Sequence, residues 1–161
     1  MCIRDSSHTV AGVELRERAA LTPEQAARAL RRLGSRAEVA GSLVLSTCGR
    51  TEVYASGLHL SALTSAIRDT LEEAHPDGFA AYEPALYRRA DREAAHHLFR
   101  VAAGLDSLLV GETEILGQVR AAVKLARSAS TLDRLLGGTA DRAVAAARRA
   151  RTSAGLGRLR R

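Results

Sequence analysis

The sequence predicts an α+β fold, with a ferredoxin-like βαββαβ core followed by a helical extension. Up to about residue 90, short apolar runs alternate with amphipathic segments in the order strand, helix, strand, strand, helix, strand. Beyond residue 90, every apolar repeat has helical spacing. With 161 residues, the chain is long enough to bury the core of one domain.

Local signals predict each element of the α+β part. Thr22 and Gln25 have the spacing of a capping box around Pro23, which predicts a helix that Gly34 ends. Apolar periodicity predicts the next four elements. They are two strands at about 42–47 and 51–56, a helix at 60–74 and another short strand at 85–87.

The remainder is predicted to be helical. Asp91 is expected to cap a helix that reaches about Gly104, and a second helix is expected from near Gly111 to Ala129. Two further helical pieces are predicted at 131–136 and at about 139–153. Residues 154–161 are rich in arginine and glycine, and we expect them to be an unstructured basic tail.

Composition narrows the class of protein. No apolar run approaches the 18 residues of a membrane span, and the N-terminus lacks a signal-peptide core. Two cysteines, one nearly terminal, make no disulfide framework, so a reducing cytoplasm is the expected location and no membrane partner is predicted. The net charge of +6 favours a polyanionic partner. The alternative is a solvated helix face in an arginine-biased protein.

The segment 46–52, STCGRTE, places a cysteine where chemistry is more expected than packing. Cys48 lies between two short apolar runs, beside Gly49 and two residues before Arg50. Glycine lets a substrate approach the backbone, and a nearby cation stabilises the nucleophilic thiolate. The alternative is a buried structural cysteine, since free cysteines are among the most buried residues.

Three segments together resemble the N-terminal catalytic domain of glutamyl-tRNA reductase. They are STCGRTE at 46–52, GLDS at 104–107 with GETEILGQV at 111–119, and SH at 7–8 with VELRER at 13–18. The resemblance covers about residues 7–153, with an α+β part to about residue 90 and a helical part after it.

The resemblance implies a reaction and its partners. The Cys48 thiolate attacks glutamyl-tRNA, and NADPH reduces the resulting thioester to glutamate-1-semialdehyde, a precursor of porphyrins and other tetrapyrroles. The chain has no G-x-G-x-x-G fingerprint, so it resembles a fragment whose NADPH and dimerisation domains are absent and which is expected not to reduce by itself. The complete enzyme is expected to be a homodimer and, as a hypothesis, to bind the downstream semialdehyde aminotransferase.

The resemblance also implies residue roles. Cys48 is the nucleophile, His97 assists proton transfer, and Arg50 holds the glutamate carboxylate. The other implied substrate-binding residues are His8, Thr47, Gly49, Ser107, Glu112, Thr113, Glu114 and Gln118. No metal is expected, because neither cysteines nor carboxylates cluster at diagnostic spacing with the adjacent pair His96 and His97.

Simpler interpretations of the same residues stay open. Arg50 is alternatively a surface salt-bridge residue paired with Glu52, and His97 a half-buried packing residue. Glu112 is alternatively a carboxylate that interacts with a helix N-terminus. At the level of the whole chain, the alternatives are a non-catalytic tRNA-binding module, an inactive fragment, or a structural domain in which Cys48 is buried.

The chain departs from the family pattern at several positions. Gly49 replaces an asparagine, and Thr113 and Glu114 replace Pro-Gln. Residues 1–6 carry Arg and Asp where the family has an apolar strand, so we interpret them as an atypical N-terminus and, as a hypothesis, a foreign one. Residues 154–161 are expected to begin the linker to the NADPH domain.

Overall fold

The computed structural model describes residues 1–7, 13–75, 78–107 and 114–153. Four strands and seven helices are present in these ranges, and the predicted α+β class is confirmed. In chain order they are β1 (Cys2–Ser7), α1 (Val13–Ala19), α2 (Pro23–Gly34), β2 (Gly41–Ser46), β3 (Arg50–Ser56), α3 (Leu60–Ala74), α4 (Phe79–Tyr82), β4 (Tyr87–Ala90), α5 (Asp91–Ala103), α6 (Glu114–Ser128) and α7 (Arg134–Ser153).

The four strands form one antiparallel sheet in the order β2-β3-β1-β4. β1 is a central strand, since Cys2 pairs with Ala55 of β3 on one side and with Ala90 of β4 on the other. Cys2 and Ile3 are fully buried. The segment that we interpreted as atypical therefore supplies part of the core, while its origin stays a hypothesis.

Helices cover both faces of the sheet, because all seven residues of β3 are buried. α3 lies on the face that carries Cys2, whose Sγ is 3.8 Å from Thr64 Oγ1. α5 lies on the opposite face, where its His97 contacts Glu52 of β3. A strand with polar residues buried on one face needs partners from the helix above it, and α5 provides them.

The capping box at the start of α2 is confirmed. Thr22 Oγ1 accepts a hydrogen bond from Gln25 N at 3.2 Å, and Gln25 Oε1 accepts one from Thr22 N at 2.8 Å. The predicted end at Gly34 is confirmed, since Gly34 is the last helical residue and Ser35 is the C-cap. Gly34 also allows close packing, since a Cβ there would lie 3.2 Å from Thr131 Cγ2.

Two predictions around β4 need correction. The strand expected at 85–87 begins only at Tyr87, because Glu83–Ala85 forms a 3-10 turn around Pro84. Asp91 does not cap α5. It is the first helical residue, Ala90 is the cap, and the Asp91 carboxylate accepts a hydrogen bond from the Met1 ammonium at 3.1 Å.

The last helix is continuous where two pieces were predicted. α7 runs through Gly137 and Gly138 without a break. At its start, Asp133 Oδ1 accepts a 2.8 Å hydrogen bond from Leu136 N. A buried stripe that includes Ala140, and that packs against α5, compensates for the low helix propensity of two glycines. The predicted end of α5 at Gly104 is confirmed, since this glycine has a left-handed φ of 76°. The predicted start of α6 near residue 111 lies outside the described residues.

Candidate active site

Cys48 lies at the tip of the β2–β3 hairpin. Thr47 N donates a 2.8 Å hydrogen bond to Arg50 O, so Cys48 and Gly49 form a two-residue tip. Gly49 N donates to Thr47 Oγ1 at 3.2 Å, which closes the turn. Cys48 is exposed and in no disulfide, whereas Cys2 is buried. The alternative interpretation of Cys48 as a buried structural residue is therefore wrong.

Gly49 is not required by the backbone of this turn. Gly104 is the one glycine with a positive φ in the described part of the chain. A Cβ at Gly49 would meet only Thr47 Oγ1, at the ordinary van der Waals distance of 3.9 Å. The asparagine of the family pattern would thus fit the same turn, and the departure leaves the position of Cys48 unchanged.

The exposure of Cys48 predicts selective alkylation. With limiting iodoacetamide at neutral pH, we expect Cys48 to be modified before Cys2, because the Cys2 side chain is buried in the central strand. Peptide mass spectrometry against reaction time measures both rates, and denatured chain provides the control in which the rates converge. Modification of Cys2 alone would contradict the arrangement of the hairpin.

Arg50, Glu52 and Tyr54 alternate along β3 and therefore share one face of the sheet. The fully buried Glu52 carboxylate accepts 2.7 Å hydrogen bonds from Arg50 Nη1 and from Tyr54 OH. His97 Nε2 lies 2.9 Å from Glu52 Oε1. Burial raises the pKa of Glu52, but the His97 hydrogen bond, the Arg50 charge and the Tyr54 hydroxyl together hold it below its usual value. Glu52 is therefore ionised at neutral pH.

Asp106, in the segment after α5, completes this group. Its Oδ2 lies 3.3 Å from His97 Nδ1, and its Oδ1 accepts from Arg100 Nε at 3.0 Å and Nη2 at 2.6 Å. Arg50 Nη2 donates to the Asp106 backbone carbonyl. Burial raises the pKa of Asp106, but the Arg100 hydrogen bonds and charge, together with the charges of His97 and Arg50, hold it below its usual value. We call Arg50, Glu52, His97, Arg100 and Asp106 the charge cluster.

The charge cluster tests two simpler interpretations, namely Arg50 as a surface salt-bridge residue and His97 as a half-buried packing residue. Arg50 does pair with Glu52, but the pair is buried and not at the surface, since Arg50 is 3% exposed. His97 is buried and lies edge-on to Tyr87, with ring centroids 6.2 Å apart, yet both ring nitrogens also face carboxylates. The predicted roles of Arg50 as carboxylate holder and His97 in proton transfer remain predictions.

A solvent-open cavity adjoins the cluster. It has a volume of about 470 Å³ and is lined by Arg89, Glu93, His96, His97, Arg100 and Asp106. The cavity reaches His97 and Asp106 from the α5 side. A substrate group that enters it would meet the histidine without displacing the sheet.

The remaining predicted site residues make fewer contacts with the charge cluster. Ser107 is buried directly after Asp106, Glu114 is exposed at the start of α6, and Gln118 is half-buried one turn later. None of these three takes part in the hydrogen bonds of the charge cluster described above. The other predicted residues lie outside the described residues and are His8, Glu112 and Thr113.

Three members of the cluster had no predicted catalytic or binding role: Glu52, Arg100 and Asp106. Glu52 had a signal, because it lies two residues after Arg50 in a predicted strand and so on the same face. Asp106 lies in the GLDS segment that carries part of the resemblance, but no local pattern pairs it with Arg100, since α5 ends between them and helical spacing does not apply across a turn.

Residues 1–7, 13–75, 78–107 and 114–153 contain neither a metal-binding cluster nor a membrane-spanning helix. No group of three or more His, Cys, Asp or Glu side chains there is placed to hold a metal ion. No helix in those ranges combines the length and apolar character needed to cross a bilayer.

Known proteins resemble this chain over most of its length. A family model described as "Glutamyl-tRNAGlu reductase, N-terminal domain" matches residues 5–154. Glutamyl-tRNA reductases from strains of Pseudomonas putida and Pseudomonas fluorescens are each 39% identical over 151 residues, which is 94% of this chain and 35% of theirs. The structure of glutamyl-tRNA reductase from Methanopyrus kandleri matches with a TM-score of 0.75 and 35% identity, over 94% of this chain and 34% of that one. The chain thus spans about a third of the length of these curated relatives. With a match over nearly all its residues, the chain belongs to the N-terminal domain family of glutamyl-tRNA reductases.

Proposed function

We propose that this chain is the acyl-transfer part of a glutamyl-tRNA reductase and that Cys48 is its nucleophile. The observation that carries the proposal is the exposed thiol at a hairpin tip, in the turn whose Arg50 leads into the charge cluster. A cysteine that served only packing would not need this position. Family membership supports glutamyl-tRNA as the substrate.

In the proposed step, the Cys48 thiolate attacks the carbonyl carbon of the glutamyl ester. A carbon–sulfur bond forms, and the bond to the ribose oxygen of the tRNA breaks. The leaving oxygen takes a proton, for which His97 is the proposed donor because the adjoining cavity reaches its ring. The products are the enzyme thioester and free tRNA.

The proposed substrate contacts begin at the hairpin. Thr47 and Arg50 lie on either side of the Cys48–Gly49 tip. Arg50 carries the planar guanidinium that suits a carboxylate, and a substrate carboxylate would compete for it with Glu52 and the Asp106 carbonyl. The other residues proposed to contact the glutamyl group are His8, Gly49, Ser107, Glu112, Thr113, Glu114 and Gln118.

Reduction of the thioester is proposed to need a part of the protein beyond this chain. When bound, NADPH supplies hydride, but the residues here do not fit it. The described sheet is entirely antiparallel and so lacks the parallel βαβ unit that holds a dinucleotide. The complete relatives are about three times as long, which leaves room for NADPH reduction, a homodimer and an aminotransferase partner as proposals for the whole protein. Porphyrin biosynthesis is the proposed pathway.

We also class the sheet as ferredoxin-like. The antiparallel order β2-β3-β1-β4 supports this class, because β3 separates β1 from β2 and helices lie in the β1–β2 and β3–β4 connections. The proposed domain is 7–153, with residues 1–6 as an atypical start and residues 154–161 as the beginning of a linker.

The test follows labelled glutamate from charged tRNA, with and without NADPH. We expect this chain to release free glutamate slowly, because water hydrolyses a thioester that no hydride reaches. NADPH is expected to leave the rate unchanged, and uncharged tRNA with free labelled glutamate is the control. Semialdehyde made by this chain alone would contradict the need for another domain. Binding of tRNA without release would favour a non-catalytic tRNA-binding module.

A further inference from the structure

The imidazole of His97 lies between two carboxylates. Its Nε2 is 2.9 Å from Glu52 Oε1, and its Nδ1 is 3.3 Å from Asp106 Oδ2. A neutral imidazole carries a hydrogen on only one nitrogen, so the lone pair of the other would face a carboxylate oxygen. With both nitrogens protonated, both contacts are attractive.

Further charged and titratable groups surround the ring, among them Arg89, Glu93 and His96, which line the cavity that reaches it. β3 contributes Arg50 and the Tyr54 hydroxyl, and both satisfy Glu52. α5 contributes Arg100, which donates a hydrogen bond to Asp106 Oδ1, and β4 contributes Tyr87, whose ring lies edge-on to His97. The pKa values of both carboxyl groups are lowered, by the neighbouring arginines and by the His97 ring itself, so both groups are expected to face the ring as anions at neutral pH.

We propose that Asp106 is a positioning residue that holds His97 as an imidazolium, the proton donor of the acyl-transfer step. The role as donor rests on the proposed function, whereas the charge state rests on the position of the ring between two carboxylates. Arg100 keeps the Asp106 carboxylate in place with two hydrogen bonds to Oδ1, which leaves Oδ2 to face the ring.

Asp106 is also linked to the hairpin, but through its backbone. Arg50 Nη2 donates to the Asp106 carbonyl, so a side-chain change at this position retains that hydrogen bond. One residue thereby orients both the proposed proton donor and the arginine beside the nucleophile. Loss of the carboxylate is expected to affect the donor and to spare Arg50.

Asp106→Asn separates the effect of the Asp106 carboxylate on His97 from the effect of the Asp106 backbone on Arg50. The amide oxygen still accepts from Arg100, while the amide NH₂ group faces His97 Nδ1 and requires a lone pair there. The ring is then expected to be neutral, with its hydrogen on Nε2 toward Glu52. The rate of thioester formation at saturating glutamyl-tRNA should fall about 10²-fold, the lower end of what a general acid contributes, with little change in half-saturation.

Two measurements on the whole chain test the proposal. Long-range ¹H–¹⁵N NMR of the His97 ring at pH 7 should show two protonated nitrogens in the wild type and one in Asp106→Asn. Single-turnover transfer of labelled glutamate to Cys48 measures the rate. Asp141→Asn is the matched control, because Asp141 also accepts two hydrogen bonds from an arginine, Arg127, but in an exposed pair on α6 and α7.

A neutral His97 ring in the wild type at pH 7 would overturn the proposal, and this result does not depend on a folded variant. An unchanged ring or an unchanged rate in Asp106→Asn would also overturn it. Absence of transfer in the wild type, together with a doubly protonated ring, would contradict the proposed function and the donor role but leave the charge state supported.

Discussion

Cys48→Ala is expected to abolish release of glutamate from glutamyl-tRNA while leaving the fold intact. Removal of the attacking sulfur leaves no acceptor for the glutamyl group, so the rate should fall by at least about 10³-fold, on the scale of other lost nucleophiles. Because the side chain is exposed at the hairpin tip, the free energy of unfolding should change by less than about 0.5 kcal/mol. Labelled-glutamate release and urea unfolding measure the two effects.

Cys2→Ala is the matched control for this variant. It removes the same atom from a fully buried position in the central strand, so we expect a stability loss of about 1 kcal/mol and normal release of glutamate. Release that survives in Cys48→Ala would identify another nucleophile or plain hydrolysis. Loss of release in Cys2→Ala alone would contradict the assignment of the reactive thiol.

Glu52→Ala is expected to lower the free energy of unfolding by about 3–5 kcal/mol, because it leaves a buried guanidinium without its carboxylate. It also removes the acceptor of the Tyr54 hydroxyl and the carboxylate that faces His97 Nε2. Equilibrium unfolding in urea, followed by circular dichroism, gives the difference. Transfer to Cys48 should fall as well, since Arg50 loses its main contact within the hairpin strand.

Two further variants separate the contribution of burial from that of charge to the free energy of unfolding. Asp141→Ala breaks an ion pair whose side chains are more than half exposed, and its cost should stay below about 1 kcal/mol. Glu52→Gln keeps the size of the side chain and one acceptor but removes the charge, so it should fall between the other two variants. A loss below about 1 kcal/mol in Glu52→Ala would contradict a desolvated charge cluster.

Elements with strong local signals were predicted well. The capping box at Thr22 and the helix Leu60–Ala74 follow from hydrogen-bonding groups and apolar repeats within a few residues of one another. The hairpin around Cys48 was predicted within one residue at each strand. Such signals suffice because the contacts that define a turn or a helix start are themselves local.

Predictions failed where two local signals compete. The pair Gly137 and Gly138 indicates a break, yet α7 continues because its alanine face is buried against α5. Pro84 allows either a strand start or a 3-10 turn, and pairing of β4 with the distant β1 moves the strand to Tyr87. Tertiary packing decides such cases, since it contributes more than propensity does.

By itself, the sequence determined that Cys48 lies in a strand–turn–strand segment and, through its three motifs, which family the chain resembles. Only the tertiary structure decided that this thiol is exposed, that Arg50 is buried, and that Asp106 faces His97. The physical reason is distance along the chain: Glu52 and His97 are 45 residues apart, and Arg50 and Asp106 are 56 apart. Whether such groups meet, and in which charge state, depends on how α5 packs on the sheet, and no local pattern encodes that.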